Sequence, residues 1–565
     1  MKKAFSFFLC AIMLVTVLSG LAACTTPEDP GEPPLREDGY YPNITLTLNN
    51  ISYVQYLETF DAMGWSLTKN PYMDLIKDEF GIKFKLDIDV QDIGIYFEKL
   101  AANIATGKFA DITCIGDSYF GVPNLKTANQ NGLLTDLTEF VNGTNEKVKP
   151  SEDVLAVWEQ AGESIFYPGT FDGQIKTLPW VQDFRADTNA FLYIRKDWLD
   201  AVGMSEPTNI AEMTDIMRAF KNNIDGAYGL TLDSGILNYP VFDMYGVNPM
   251  FWYEKDDGSV ALGITNVEPM KKALTVLHDW YAEGLINSSE ANDIAVIGGL
   301  HYSSQEIVNG KSGMHFGSLG MSFASNTLRK NKDARFVAVP IFPAESGYDV
   351  KIATKHSTYF YYAVGNNNKY PETAMKLYNF YLEVMSSEEE EYKAVRTNCK
   401  YTNAAGEEVE GWAASQFAPL RTNPATDIEA SKEFLEKLWA KDSEGLNSAQ
   451  LKTFNDYWEA VDSGTVNYKT YWMVEQNKEN GVQMKLYDMY DNANFTRNIF
   501  CGIPTEGMDT YGAEIETALI LDALSIIKGE NPVEYWDAAV KNWLDGGGQV
   551  ITDEVNAWWN GVNTK

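Results

Sequence analysis

The sequence predicts an α/β chain in two lobes, with parallel-rich sheets flanked by helices and a cleft between the lobes. Three observations predict it. Strand-like alternation and helix-like periodicity take turns along the chain at the spacing of βαβ units. With 565 residues, the chain exceeds one ordinary α/β domain, so two lobes are expected. Residues 1–23 read as an export leader that takes no part in the fold.

Each element follows from its residues. Residues 44–48 (Ile-Thr-Leu-Thr-Leu) alternate as a first strand. Asn70 and Pro71 form an N-cap and first-turn pair. Leu75, Ile76 and Phe80 follow on one face, and Gly81 stops the helix. Residues 83–90 alternate as a second strand, 95–105 form a helix, and 111–115 form a short apolar third strand. The pattern resumes with a turn at Asp172-Gly173, an extended Leu178-Pro179 and a strand over 190–194. A helix over 196–202 ends at Gly203. Asn209 begins another helix, with Met213, Ile216, Met217 and Phe220 on one side. Near the C-terminus, residues 515–527 are apolar all round and predict a buried helix. Asn531-Pro532 starts a further helix, with Trp536, Val540, Trp543 and Leu544 on one face, and Gly546-Gly547-Gly548 terminates it.

The leader has Lys2 and Lys3 before an uncharged run that closes on Leu21-Ala22-Ala23-Cys24. Alone, that run also fits an uncleaved span or a plain secretory signal. A Pro- and acid-rich stretch from Thr25 then reads as a stiff tether over 24–41. Leader, small residues, cysteine and tether together resemble a bacterial lipoprotein, which implies lipidation at Cys24. Two acyl chains anchor stably where one is marginal.

Charge excludes some partners. With 79 acidic against 45 basic residues and a net charge of −34, the chain repels phosphate backbones and anionic headgroups. Nucleic acid is excluded, and contact with a membrane is expected through the lipid anchor only. Beyond Cys10 and Cys24, the remaining Cys114, Cys399 and Cys501 form neither a disulfide framework nor a metal-ligand spacing. One bridge or three buried thiols both fit. The 14 Trp suit flat surfaces for stacking on a ligand as well as large cores.

Five stretches carry a resemblance to a known family. Residues 105–112 look like a Gly-x-x-Pro-Asp turn, with Ala110 in the proline's place. Residues 131–138 (Asn-Gly-Leu-Leu-Thr-Asp-Leu-Thr) come next. Residues 172–179 are followed by 193–199 (Tyr-Ile-Arg-Lys-Asp-Trp-Leu). Residues 281–287 pair with 309–314, and Gly502-Ile503-Pro504-Thr505 with 547–558 close the series. In order over most of the chain, they resemble the large lipoprotein-type extracellular solute-binding proteins of family 1. The resemblance implies a periplasmic-binding-protein-like fold of type II, a small carbohydrate held between the lobes (an oligosaccharide foremost), an ABC permease as partner, and no chemistry on the ligand. It places one lobe at 42–178 with about 341–420, and the other at 179–340 with about 421–565. It also implies a monomer on the outer face of the cell membrane.

Some relatives carry an Asp/Asn-rich calcium loop after the helix that ends here near Phe220. Residues 221–226 offer too few oxygens at alternating spacing, so no metal and no cofactor are expected. In a sugar cleft, rings cover the pyranose faces and planar polar side chains meet the hydroxyls. Trp180, Asp183 and Arg185, just past the extended Leu178-Pro179, are candidates, with hinge packing as the alternative. Asp117 follows the third strand, and Trp65 sits in a loop after the first. Trp252 and Tyr253 form a candidate stacking pair or core aromatics. His315 marks a strand end or a core histidine, and Trp412 lies in an irregular stretch.

Two other readings stay open. A glycosidase could hide its two carboxylates among the acids, since such pairs have no fixed spacing. No zinc-binding His-Glu-x-x-His, Gly-x-Ser-x-Gly or phosphate-binding loop is present. A peptide-binding or sensor protein of the same fold is the other.

Overall fold

The computed structural model describes residues 39–41, 43–116, 122–231, 236–286, 302–320, 322–403, 406–464, 466–492 and 495–563. The leader, the tether as far as residue 38 (with Cys24) and Asp117 lie outside the described residues, while Tyr41 at the tether's end is buried.

Eleven strands organise the body: β1 (Ile44–Asn49), β2 (Ile82–Leu86), β3 (Ile112–Gly116), β4 (Thr177–Val181), β5 (Phe191–Arg195), β6 (Tyr228–Leu230), β7 (Ser312–Gly317), β8 (Phe336–Pro340), β9 (Ile352–Thr354), β10 (Thr358–Val364) and β11 (Phe495–Arg497). One sheet has the order β2-β1-β3-β10-β4 and another β8-β5-β7-β6. In the first, β1 is parallel to β2 and β3, while β10 runs antiparallel to both β3 and β4. In the second, β5 is antiparallel to β7 and β8, and β7 is parallel to β6. The sheets are therefore mixed, because each takes in a strand that the chain lays down beside a crossing between them. A third pairing, β9 with β11, is parallel and lies between the two sheets in the chain's path.

Local chemistry sets the helices of the first lobe. In α1 (Pro71–Phe80), the Asn70 side chain accepts from the backbone N–H of Tyr72 and Met73, and Gly81 ends the helix in the left-handed region. In α2 (Ile93–Ala105), the Asp92 side chain caps Ile95 N–H. The predicted second strand is shorter than its alternation, ending at Leu86. Its neighbour β1 also stops, and the Asn49 side chain takes the Ile88 N–H instead. After β3, α3 (Val122–Gln130) packs Val122, Leu125 and Ala128 inward.

Two large buried clusters coincide with the two sheets. The first joins residues of β1 to β4, α1 and α2 to β10 and the helix Glu372–Ser386. The second joins β5 to β8 with α4 (Ile210–Asn223), whose Met213, Ile216, Met217 and Phe220 are buried as the periodicity predicts, and with the C-terminal helices. Gly313 is required there: a Cβ would sit 2.3 Å from the Phe220 ring. A satellite of four helices, Ile428–Trp439, Ser448–Asp462, Tyr471–Asn477 and Val482–Asn492, has its own small core.

The C-terminus departs from expectation twice. The helix α5 (Ala513–Ile527) buries Ile515, Leu519 and Leu524, but Leu521 is 54% exposed, so its all-round apolarity does not mean all-round burial. The triple glycine does not end α6 (Trp536–Trp543) in solvent. Gly547, at φ 127°, turns the chain straight into α7 (Gln549–Asn563), and a Cβ there would meet Tyr511 at 2.4 Å. Only glycine takes that conformation without strain.

Candidate ligand-binding site

Between the two sheets lies a cavity of about 350 Å³, at the small end of the usual range for small-molecule sites. Its first wall comes from the first lobe. Val122 begins α3 a few residues past the carboxyl end of β3, Ser164 and Pro168 come from the turn Glu163–Gly169, and Thr358, Tyr359 and Tyr361 come from β10. That position, outside the carboxyl ends of parallel strands, is where open α/β sheets hold ligands. The floor is the crossing chain, with Phe184 on one crossing and Thr354, Lys355 and His356 on the other. The far wall is Phe251 and an extended strap that supplies Asn498, Phe500, Cys501, Gly502 and Pro504.

The strap is fixed to the second lobe at both ends. The Asn498 side chain accepts from Trp252 N–H at 2.9 Å, and Ile499 N–H donates to the Trp252 carbonyl at 3.1 Å. Further on, Gly507 N–H donates to the Glu554 carboxylate at 2.9 Å.

The lining is aromatic and nearly uncharged. In a chain with 79 acidic residues, no Asp or Glu among the described residues lines this cavity, and its one formal cation is the exposed Lys355. Lys355 Nζ lies 5.6 Å from the Phe184 ring centre, a cation–π approach. Burial pushes the His356 imidazole down to about 4. The Asn498 backbone favours a proton on the ring, but both ring nitrogens are sealed from solvent and form no hydrogen bond of ordinary geometry, so burial dominates. The ring is neutral near pH 7. Cys501 is a free thiol pushed up to about 12 by burial, with Sγ 4.0 Å from the Ser164 carbonyl. Cys114 and Cys399 are likewise in no disulfide among the described residues.

The residues singled out by sequence take other places. Trp180 is 8% exposed within β4. The Arg421 guanidinium covers its ring at 4.0 Å, and Tyr359 and Tyr362 pack around it, so no face is left for a sugar. Asp183 and Arg185 form a two-toothed ion pair at 2.8–3.2 Å, and Arg185 lies 3.8 Å over the Tyr490 ring. Burial works against the Arg185 charge, but its bonds to Asp183 outweigh that and raise its pKa. This pair lines a separate groove of about 20 Å³ with Ser357, Asn423 and Arg497.

Trp65 and Trp412 belong to a small aromatic cluster around Phe417 and Tyr56, and the Trp412 indole donates to the Gln55 carbonyl. Trp252 is core, 6.4 Å from Trp543, and Tyr253 sits in a hairpin opposite Ala261. Trp252 still acts on the cavity, through its backbone bonds to the strap. His315 packs edge-on to Phe323 in β7, away from the cavity, and burial pushes it down to about 4. The cavity residues Phe251, Tyr359, Tyr361, His356 and Asn498 were not foreseen. The run Tyr359-Phe360-Tyr361-Tyr362 was the available signal, since period-two alternation in β10 turns Tyr359 and Tyr361 to one face.

Comparison with known proteins fits this architecture. The alginate-binding protein AlgQ2, solved without calcium ion, superposes with a TM-score of 0.59 at 15% identity, covering 92% of this chain and 98% of that one. An extracellular solute-binding protein from Bifidobacterium longum subsp. infantis gives 0.57 at 14%, covering 93% and 99%. The S. pneumoniae ABC-transporter substrate-binding protein FusA, as an EF-hand mutant in complex with fructo-nystose, gives 0.56 at 15%, covering 92% and 100%. At these identities the likeness establishes the fold. In sequence, lipoprotein LipO of Bacillus subtilis (strain 168) is 28% identical over 169 residues, 27% of this chain, and the match spans about a third (31%) of LipO. The family model for bacterial extracellular solute-binding proteins matches residues 72–390, more than half of the chain. With its two sheets, its crossing chain and its inter-lobe cavity, this chain belongs to the bacterial extracellular solute-binding protein family.

Proposed function

We propose that the chain is the lipid-anchored solute-binding component of an ABC importer, and that it captures a short oligosaccharide for a membrane permease. One observation carries the reading: an aromatic-walled cavity, uncharged among the described residues but for Lys355, set between two lobes at the carboxyl ends of strands. Phe184, Tyr359, Phe251 and Phe500 offer flat apolar faces for sugar rings. Tyr361 and Asn498 offer groups for hydroxyls, which both donate and accept. The described lining is aromatic rather than charged, which favours a saccharide over a ligand held by ion pairs.

In this reading the first lobe runs over 42–181 with 358–420, and the second over 182–357 with 428–563. Supporting these bounds, residues 341–344 pack with the second cluster and Trp180 with the first. Anchoring through Cys24, a monomeric state and Asp117 as a ligand contact stay part of the proposal.

A thermal-shift screen of the protein from Thr25 tests it. The panel is maltotriose, cellotriose, kestose, digalacturonate, glucosamine trimer and trialanine. Ligand at a hundredfold over its Kd adds about 2.7 kcal/mol of stability. A shift with a neutral or carboxylated saccharide that is recovered intact supports capture for transport. A shift with trialanine alone overturns the ligand class, and recovery of cleaved sugar overturns the binder. Anchoring is tested by Cys24→Ala, which should release the protein into the medium.

A further inference from the structure

The strap that walls the cavity also reaches across to the first lobe. Lys126, on α3, donates from Nζ to the Pro504 carbonyl at 3.0 Å and to Asp509 Oδ2 at 2.6 Å. These atoms bridge two separate cores: α3 packs in the first cluster, and the strap is held by Trp252 and Glu554 of the second. The contact sits on the cavity's edge, because Val122 at the start of α3 and Pro504 on the strap both line it. Two further contacts cross beside it. Cys501 Sγ meets the Ser164 carbonyl, and Trp558 packs edge-on to Tyr167 at 6.1 Å while also touching Phe500 at 4.9 Å.

None of these contacts belongs to the crossing chain at Phe184 or His356. Any motion that parts the lobes about the crossings must break them, while β9 and β11 stay paired. We propose that Lys126 and Asp509, with the Pro504 carbonyl, form a latch that holds the lobes together over the cavity and sets ligand retention without touching ligand. Lys126 and Asp509 are thus positioning residues, and the inference rests on the proposed capture of a ligand between two lobes.

The pair is half in solvent: the Lys126 side chain is 20% exposed and Asp509 50%. Salt therefore weakens it. A cation shared between a carboxylate and a carbonyl is worth roughly three- to thirtyfold in an equilibrium. When such a contact favours the closed arrangement alone, its loss lowers affinity by shifting the population. The loss falls mainly on the dissociation rate.

Three variants test this: Lys126→Met, Asp509→Asn and the exchange Lys126→Asp with Asp509→Lys. On ligand-free protein, hydrogen exchange is followed at the amides of residues 502–509. Faster exchange in both single variants, with partial recovery in the exchange variant, is expected. Exchange unchanged from the parent would overturn the latch whatever the ligand is. On whichever panel saccharide stabilises the parent, Lys126→Met should bind roughly three- to thirtyfold more weakly, mostly through faster release. The parent's affinity for a neutral saccharide should also fall between 20 and about 500 mM NaCl, while that of Lys126→Met stays flat. Equal affinity and equal salt response in parent and variant would overturn the latch but leave the ligand reading intact. If no saccharide binds the parent, the ligand reading fails, and the exchange measurement alone decides the latch.

Discussion

The two faces of the crossing chain differ in kind. In front, around His356 and Thr358, lies the aromatic cavity of about 350 Å³ with one exposed cation and no lining carboxylate among the described residues. Behind, around Ser357, lies a groove of about 20 Å³ that holds Asp183, Arg185 and Arg497. Ser357 lines the groove while its neighbours His356 and Thr358 line the cavity, so one residue of offset separates the two chemistries. Behind, Asp183 and Arg185 pair with each other, and Arg185 also lies over the Tyr490 ring. In front, the described lining is neutral apart from the exposed Lys355. The Asp183–Arg185 pair braces the crossing, and the neutral surface in front is the one proposed to meet a ligand.

That contrast can be broken or sharpened by four changes, taken from the largest expected effect to the smallest. Acid should destabilise the protein through its buried histidines. His356 and His315 titrate near 4 when folded and near 6.5 when unfolded. Between those values the unfolded chain binds more protons, so stability rises with pH there and is lost as pH falls from about 6.5 towards 4. Each histidine accounts for roughly 3 kcal/mol across that window. Urea unfolding at pH 7 and 4.5 should show the loss, and His356→Phe should remove its share. An unchanged pH profile in that variant would place the ring in water.

Next, Phe184→Ala and Tyr359→Ala should each weaken saccharide binding by about 2 kcal/mol, roughly thirtyfold, as central aromatic contacts do. Calorimetry reads this directly. Behind the crossing, Asp183→Asn should lower stability by about 1 kcal/mol, since both partners are about a fifth exposed and solvent screens the pair. Saccharide affinity should stay within about threefold, and a larger loss would mean that the two faces act as one site. Smallest of all, Lys355→Met should leave neutral saccharides unaffected and weaken digalacturonate by about 0.5 kcal/mol, the scale of an exposed ion pair. Titration of both ligands against both proteins checks it.

The difference between the two faces also marks how far the sequence could be read. Elements governed by neighbours in the chain were legible: Asn70 and Gly81 bracket α1, Asn209 caps α4, and Gly203 stops the helix after β5. Features set by distant partners were not. Leu521 is apolar yet exposed because nothing packs on that side of α5, and the triple glycine turns a helix because Tyr511 crowds it. The lining of the cavity was harder to read. Trp180, Asp183 and Arg185 lie within a few residues of Phe184, which does line the cavity, but type and position alone do not tell which face a side chain takes. Trp180 is covered by Arg421, 241 positions further along, a contact no local pattern announces. Asn498 and Pro504 reach the cavity from beyond a helical satellite, and only the quoted Gly502-Ile503-Pro504-Thr505 stretch hinted that this region mattered.

The most direct test of the central claim is calorimetric titration of one stabilising saccharide into the parent, Phe184→Ala and Asp183→Asn side by side. A ligand seated in front of the crossing chain predicts binding to the parent and to Asp183→Asn within about threefold, with a roughly thirtyfold loss in Phe184→Ala. Loss in Asp183→Asn with binding retained in Phe184→Ala would place the ligand behind the crossing and contradict the account.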